Sequence, residues 1–382
     1  MKNRGRAEGA LASVLSTKCL DNASAVAPAS CRQMPPRWRR YVVHPISGHY
    51  TSVQESVVSD LDAMKPPPDT SPLSLRAKIW RTMSHVLMIL AALGAVFYLI
   101  VIPGFFIHIL TRGRFNYPDP NQGKTPKTYG LEFEWVEFHS PEHIPLRGWF
   151  IPAAGQARGT IIYCHGLNRS RVEMLPEVLW GHQLGYDGLL FDFRHAGQSG
   201  GVTTTLGYQE RLDVLAAVRF ALEQRRSPRP VVVWGVSMGA AAALMAAADL
   251  PEIAAVIADS SFLSLRHTLA HHLRLFLHLP GFPLADEVAY GVAWRGGFRP
   301  SQFNVGEAVA RIGLRPILFV AVEGDRRMPP SIAGELYARA VSPQKKLVVL
   351  PGKRHGEGFN QATEQYEQAV REFLAGIPPG RP

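Results

Sequence analysis

The sequence predicts an α/β protein: a mostly parallel, eight-stranded sheet with helices on both faces, preceded by a single N-terminal transmembrane helix. Three observations carry this. From about Asn116 onward, short β-branched runs alternate with longer amphipathic stretches. Before them stands a charge-free run, Val86 to Ile107. Polar residues also gather just after most of the apolar runs, at the same end. Continuous apolar strands separated by helices describe a sheet buried on both faces, and such sheets bind ligands beyond the carboxyl ends of their strands.

The chain has 382 residues and a formal net charge of +10, of which +6 falls in residues 1–81. Residues 1–78 are rich in Ser, Pro and Ala without a helical or strand period, and are expected to be disordered. A true start at Met64 or Met83 is the alternative account of this segment. Residues 79–110 are expected to cross a membrane, because about 20 apolar residues span a hydrocarbon core of roughly 30 Å. Trp80 stands where an interfacial anchor would. The flanking charges nearly balance: Arg76, Lys78 and Arg81 on one side, and Arg112, Arg114, Lys124 and Lys127 on the other. The basic N-terminal arm favours its own retention inside, with the folded domain outside the cytoplasm. Membrane lipid is the expected partner of these charges. Basic residues do not cluster with aromatics on a folded stretch, so no nucleic-acid partner is expected.

Three cysteines, Cys19, Cys31 and Cys164, make no disulfide framework, and Cys164 lies in an apolar run as a small core residue. No C-x-x-C or H-E-x-x-H occurs, so no metal and no cofactor are expected.

Residues 115–382 hold the repeating pattern. Expected strands are Leu131 to His139, Pro145 to Ile151, Thr160 to Cys164, Gly188 to Phe193, Val231 to Trp234, Ala254 to Ala258, Pro316 to Val322 and Lys346 to Leu350. Expected helices are Val172 to Leu184, Tyr208 to Gln224, Met238 to Leu250, Ile332 to Ala340 and Glu364 to Leu374. Between Val231–Trp234 and an alanine-rich helix stands Gly235-Val236-Ser237-Met238-Gly239. A sharp strand-to-helix turn leaves no room for Cβ atoms beside the serine and lifts its hydroxyl into a cleft at a helix N-terminus.

Five motifs fall in one order: Tyr163-Cys164-His165-Gly166, Phe191-Asp192-Phe193-Arg194 with Gly197 to Gly200, Gly235 to Gly239, Glu323-Gly324-Asp325 with Met328-Pro329-Pro330, and Lys353-Arg354-His355-Gly356. In this the chain resembles the α/β-hydrolase superfamily, and most of all its membrane-anchored serine hydrolases and esterase-like members. The resemblance implies Ser237 as nucleophile, His355 as base and Asp325 as the acid that orients it. Glu323 and Asp259 are the rival acids. It implies an oxyanion hole from the backbone N–H groups of Leu167 and Met238. His165, Asp192, Arg194 and Ser199 are read as structural. Arg354 stands where the family usually has glycine.

Residues 262–313 read as an insertion with an apolar stripe and four histidines, His267, His271, His272 and His278. Without a carboxylate or cysteine at ligand spacing it is read as an amphipathic lid rather than a metal site. The expected activity is cleavage of an ester, thioester or amide through an acyl-enzyme, on a hydrophobic or lipid-like acyl substrate. A serine peptidase, an acyltransferase and a non-catalytic scaffold are the alternatives.

Overall fold

The computed structural model describes residues 74–113 and 121–378. The expectation of disorder over residues 1–78 therefore lies outside the described residues up to residue 73, while residues 75–78, expected to be disordered, already belong to a helix. The first described element is a helix, α1 (Leu75–Val96), which runs through a π-helical stretch (Phe97–Val101) into α2 (Ile102–Arg112). The widened turn precedes Pro103, whose ring would strike the carbonyl four residues back and which has no N–H to give. The Ile102 N–H accordingly reaches back five residues, to the Phe97 carbonyl. Together these turns form a helix long and apolar enough to cross a bilayer. No α1 residue is buried. α2 differs: Ile102, Phe106, Ile107 and Leu110 pack against the domain core, and Pro103 and Thr111 are buried.

The domain that follows is built on β1 (Glu134–His139), β2 (Pro145–Ile151), β3 (Thr160–Cys164), β4 (Asp187–Phe191), β5 (Val231–Val236), β6 (Ile253–Asp259), β7 (Ile317–Val322) and β8 (Lys345–Leu350). They form one sheet in the order β1-β2-β4-β3-β5-β6-β7-β8. β2 runs antiparallel to both β1 and β4, and every other pairing is parallel. Every residue of β3, β4, β5 and β7 is buried, as their continuous apolar runs require.

The helices are α3 (Leu175–Gln183), α4 (Glu210–Arg219), α5 (Met238–Asp249), α6 (Leu265–Leu277), α7 (Leu284–Arg295), α8 (Val305–Arg311), α9 (Pro330–Arg339), α10 (Gly358–Gln361) and α11 (Thr363–Ala375). α3 starts later than expected because Pro176, in its first turn, suits a helix start, and a 3₁₀ turn (Arg171–Met174) precedes it. α5 is almost wholly buried, and its alanines let it lie close on β5 and β6. Two apolar clusters cover the sheet. The larger includes Phe191, Leu244 and the lid residues Leu269 and Val288; the other centres on Trp149, Trp234 and Tyr366.

Candidate active site

Ser237 sits between β5 and α5 with φ 54° and ψ −114°, a conformation costing on the order of 1–3 kcal/mol in a non-glycine residue. Two bonds hold it there. Its N–H donates to the Asp259 carbonyl at 2.8 Å, and its own carbonyl accepts from the Ala241 N–H at 3.1 Å. The flanking glycines are a steric necessity. A Cβ on Gly235 would run into the backbone of Gly239, and one on Gly239 would run into the Cys164 carbonyl.

His355 reaches this hydroxyl from the loop after β8. Its Nε2 lies 3.0 Å from Ser237 Oγ, and its Nδ1 lies 2.6 Å from Asp325 Oδ2. A carboxylate only accepts, so Nδ1 carries the proton and Nε2 accepts from the serine hydroxyl. Asp325, on the turn after β7, is 2% exposed, and its Oδ1 accepts from the N–H groups of Arg327 (2.8 Å) and Met328 (2.9 Å). The two loops are tied together where the Gly324 N–H donates to the Gly352 carbonyl at 2.9 Å.

The two rival acids are engaged elsewhere. Asp259 accepts from the Tyr366 hydroxyl at 2.9 Å and the Ser260 hydroxyl at 2.8 Å, and burial raises its pKa. Glu323 is exposed. Arg354, in the place of the usual glycine, points to solvent while its N–H and that of Lys353 donate to Glu357 Oε2, each at 3.0 Å. The carboxylate of Glu357 thus shapes the histidine loop. Sequence reading passed over it, although a carboxylate three residues after a free loop amide was the available signal.

Met238 opens α5, where a helix offers no acceptor for the first N–H groups. With Leu167 it lines a cavity of about 170 Å³, whose other walls include Asn168, Arg169, His195 and Thr204. The loop carrying Leu167 is braced: Gly166 N–H donates to Glu173 Oε2 at 2.6 Å, and the buried His165 accepts from the Phe193 N–H at 3.0 Å. Asp192 holds Arg171 and the Gln198 N–H, each at 2.8 Å, and Ser199 bridges the Asp192 carbonyl and the Arg147 N–H. Arg194 is buried against Asp213 at 2.7 Å and also reaches Glu142 at 3.0 Å. Burial raises the Asp213 pKa to about 7. All four of these residues brace loops, as does Glu210, which gathers Thr204, Thr205 and Gly207. Cys164 is buried, and burial pushes its thiol pKa well up.

Residues 262–313 fold into α6, α7 and α8. The lid histidines touch the acid loop. His271 Nε2 lies 2.7 Å from the Arg326 carbonyl and His272 Nε2 lies 3.3 Å from the Arg327 carbonyl. Burial, then the charge of Arg327, pushes the His272 pKa down to about 4. Among the described residues no His, Cys, Asp or Glu cluster could hold a metal ion.

A model of the α/β-hydrolase fold matches residues 159–282, the stretch from β3 through the Ser237 turn to the lid. The chain has the α/β-hydrolase fold. Similar to this chain is an uncharacterized protein of Bacillus subtilis, YqkD, 29% identical over 60% of this chain and 75% of that protein. An uncharacterized membrane protein of Saccharomyces cerevisiae is 24% identical over 69% of this chain and 88% of its own length. Among solved structures, an esterase of Pyrococcus furiosus, Pf2001, superposes with a TM-score of 0.58 and 29% identity, covering 70% of this chain and 99% of that one. These likenesses support a hydrolase. The apolar helix and the yeast relative point, weakly, to membrane association.

Proposed function

We propose that the protein is a membrane-anchored serine hydrolase that cleaves an ester, thioester or amide through an acyl-enzyme. One observation carries this: the Ser237 hydroxyl, 3.0 Å from an imidazole whose other nitrogen is 2.6 Å from a buried carboxylate. A serine hydroxyl is a poor nucleophile until a base takes its proton. His355 Nε2 removes that proton as Oγ attacks the carbonyl carbon, and Asp325 stabilises the imidazolium and fixes the ring. The developing oxyanion turns towards the amides of Met238 and Leu167, where each donor is worth about 10²–10³ in rate. The imidazolium then protonates the leaving group. Water, activated by the same nitrogen, attacks the acyl carbon and returns the proton to Ser237. The cavity beside these amides is smaller than the roughly 300–1,000 Å³ of common ligand pockets. It suits a short acyl group or a compact polar leaving group, and a long acyl chain would have to run out along the lid.

Ser237→Ala tests the reading. It should keep the far-UV circular dichroism and melting temperature of the wild type, lose fluorophosphonate labelling, and lose roughly 10⁴–10⁶-fold in kcat on a panel of short to long acyl esters. Labelling or turnover at the wild-type level in the folded variant would remove Ser237 from the reaction.

A further inference from the structure

The lid and the end of the apolar helix meet in a patch that the proposed chemistry does not use. Ile107 of α2 fills the space over Gly291 of α7, where a Cβ would collide with it. Arg295, four residues on, donates from Nη1 to the Thr111 hydroxyl at 2.7 Å and to the Ile107 carbonyl at 3.3 Å. α7 therefore lies against α2. Beside this seam, Tyr290 and Trp294 share one face of α7 at i, i+4 spacing. They are 67% and 81% exposed, and Phe282, just before α7, is exposed as well. Large apolar side chains gathered on an exposed face mark a contact surface.

What covers them follows from the helix they flank. From Thr82 to Val101 the chain rises about 30 Å at 1.5 Å per residue, the thickness of a bilayer's hydrocarbon core. Over that stretch the large apolar side chains face outward, from Met83 through Val101. α2 then begins where hydrocarbon gives way to headgroups, and α7 runs alongside it at that depth. A groove there is lined by Arg112, Thr203, Trp294 and Arg295. Neither arginine pairs with a carboxylate among the described residues. Indole and phenol rings prefer the bilayer interface, and guanidinium groups at that level attract anionic headgroups.

We propose that the rim of the lid is a second membrane contact: Tyr290 and Trp294 seat in the headgroup layer of an anionic phospholipid bilayer, with Arg112 and Arg295 facing lipid phosphates. This rests on the apolar helix crossing a bilayer. It does not depend on the reaction at Ser237.

The test uses the full chain, with Cys19→Ser and Cys31→Ser so that only the buried Cys164 remains, reconstituted in vesicles of phosphatidylcholine and phosphatidylglycerol. An environment-sensitive fluorophore is attached in turn to Ile89→Cys in the span, to Tyr290→Cys, to Trp294→Cys and to Leu314→Cys. Leu314 is an exposed apolar residue just before β7, at the edge of the sheet opposite Ser237. Lipids brominated along the acyl chain then serve as quenchers. Labels at 290 and 294 should be quenched when bromine lies close below the headgroups, and that at 89 more strongly when it lies deeper. The label at 314 should be unaffected. Exchanging phosphatidylglycerol for phosphatidylcholine should weaken quenching at 290 and 294 and leave that at 89 unchanged. If 89 is quenched while 290 and 294 behave like 314, the lid contact is overturned and the span stands. If 89 also escapes, the span fails and the lid contact falls with it. Label-to-label proximity at 294 between two protomers, without lipid quenching, would make the face a contact between copies and equally overturn the proposal.

Discussion

The turn around Ser237 and the lid around α6 and α7 stand on opposite terms with their surroundings. The turn is held by backbone: glycine against carbonyl, amide against carbonyl, in a core with no space to yield. The lid is held by side chains. Its apolar residues pack inward, imidazoles rest on two loop carbonyls, and a row of aromatic residues faces outward. A site held by backbone has one geometry. A cover held by side chains can alter its contacts one at a time and still remain a helix pair. Chemistry that needs sub-ångström placement calls for the first kind of structure, and a cover that must open and close calls for the second.

Asp325→Asn should break this comparison hardest on the rigid side. The amide retains the loop bonds to Arg327 and Met328 but cannot accept the Nδ1 proton, so the imidazole takes the wrong tautomer. The expected loss is about 10⁴-fold in kcat, with folding intact by circular dichroism. A loss under tenfold would mean another group orients His355. Gly239→Ala acts on the same region through stability. Its methyl group meets the Cys164 carbonyl, which cannot move without disturbing β3. About 3 kcal/mol should be lost, lowering the melting temperature by roughly 10 °C. Gly334, on α9, has open space where its Cβ would stand, and its replacement by alanine should raise stability by up to about 1 kcal/mol. Equal effects at the two glycines would remove the steric account of the turn.

A pH-dependent effect belongs to the lid. His272, facing Arg327, His271 and His355, has its pKa lowered from 6.5 to about 4. The unfolded chain therefore binds its proton more readily than the folded one. The stability that the neutral ring contributes is complete above pH 6.5 and drains away as pH falls towards 4. Urea midpoints taken across that interval should drop for the wild type, and less steeply for His272→Gln. Parallel curves would show that this imidazole is not linked to folding.

The sheet and the residues at its carboxyl edge were legible because both signals are local. An apolar run declares a buried strand, and Gly-x-Ser-x-Gly between a strand and an alanine-rich helix declares a turn. The structure brings Ser237 and Asp325 each into hydrogen-bond reach of His355 from three loops, and the sequence had already set all three just past the carboxyl ends of strands. In the sequence, Gly324 before Asp325 and the Pro329-Pro330 turn after it favour Asp325 over Glu323 and Asp259. The loop path that carries it to the imidazole, and Tyr366 engaging Asp259 from far along the chain, are not local signals. The docking of α2 was hidden for a different reason. Ile107 against Gly291 and the exposed Phe97 are equally apolar, so hydropathy cannot tell a packed turn from an outward-facing one. The grip of His271 and His272 on two carbonyls was likewise invisible, because backbone acceptors leave no trace in residue identity.

The last carbonyls of α2 end in the wall of the cavity itself. The Thr111 carbonyl accepts from the Thr204 N–H at 2.9 Å, and the Arg112 carbonyl lies 3.3 Å from His195 Nε2. Thr204 and His195 both line the space beside the Leu167 and Met238 amides. These two bonds fix the end of α2 directly to that wall. A helix bonded at its foot to a chamber couples the two, so a shift of α2 would displace the Thr204 and His195 side of that cavity.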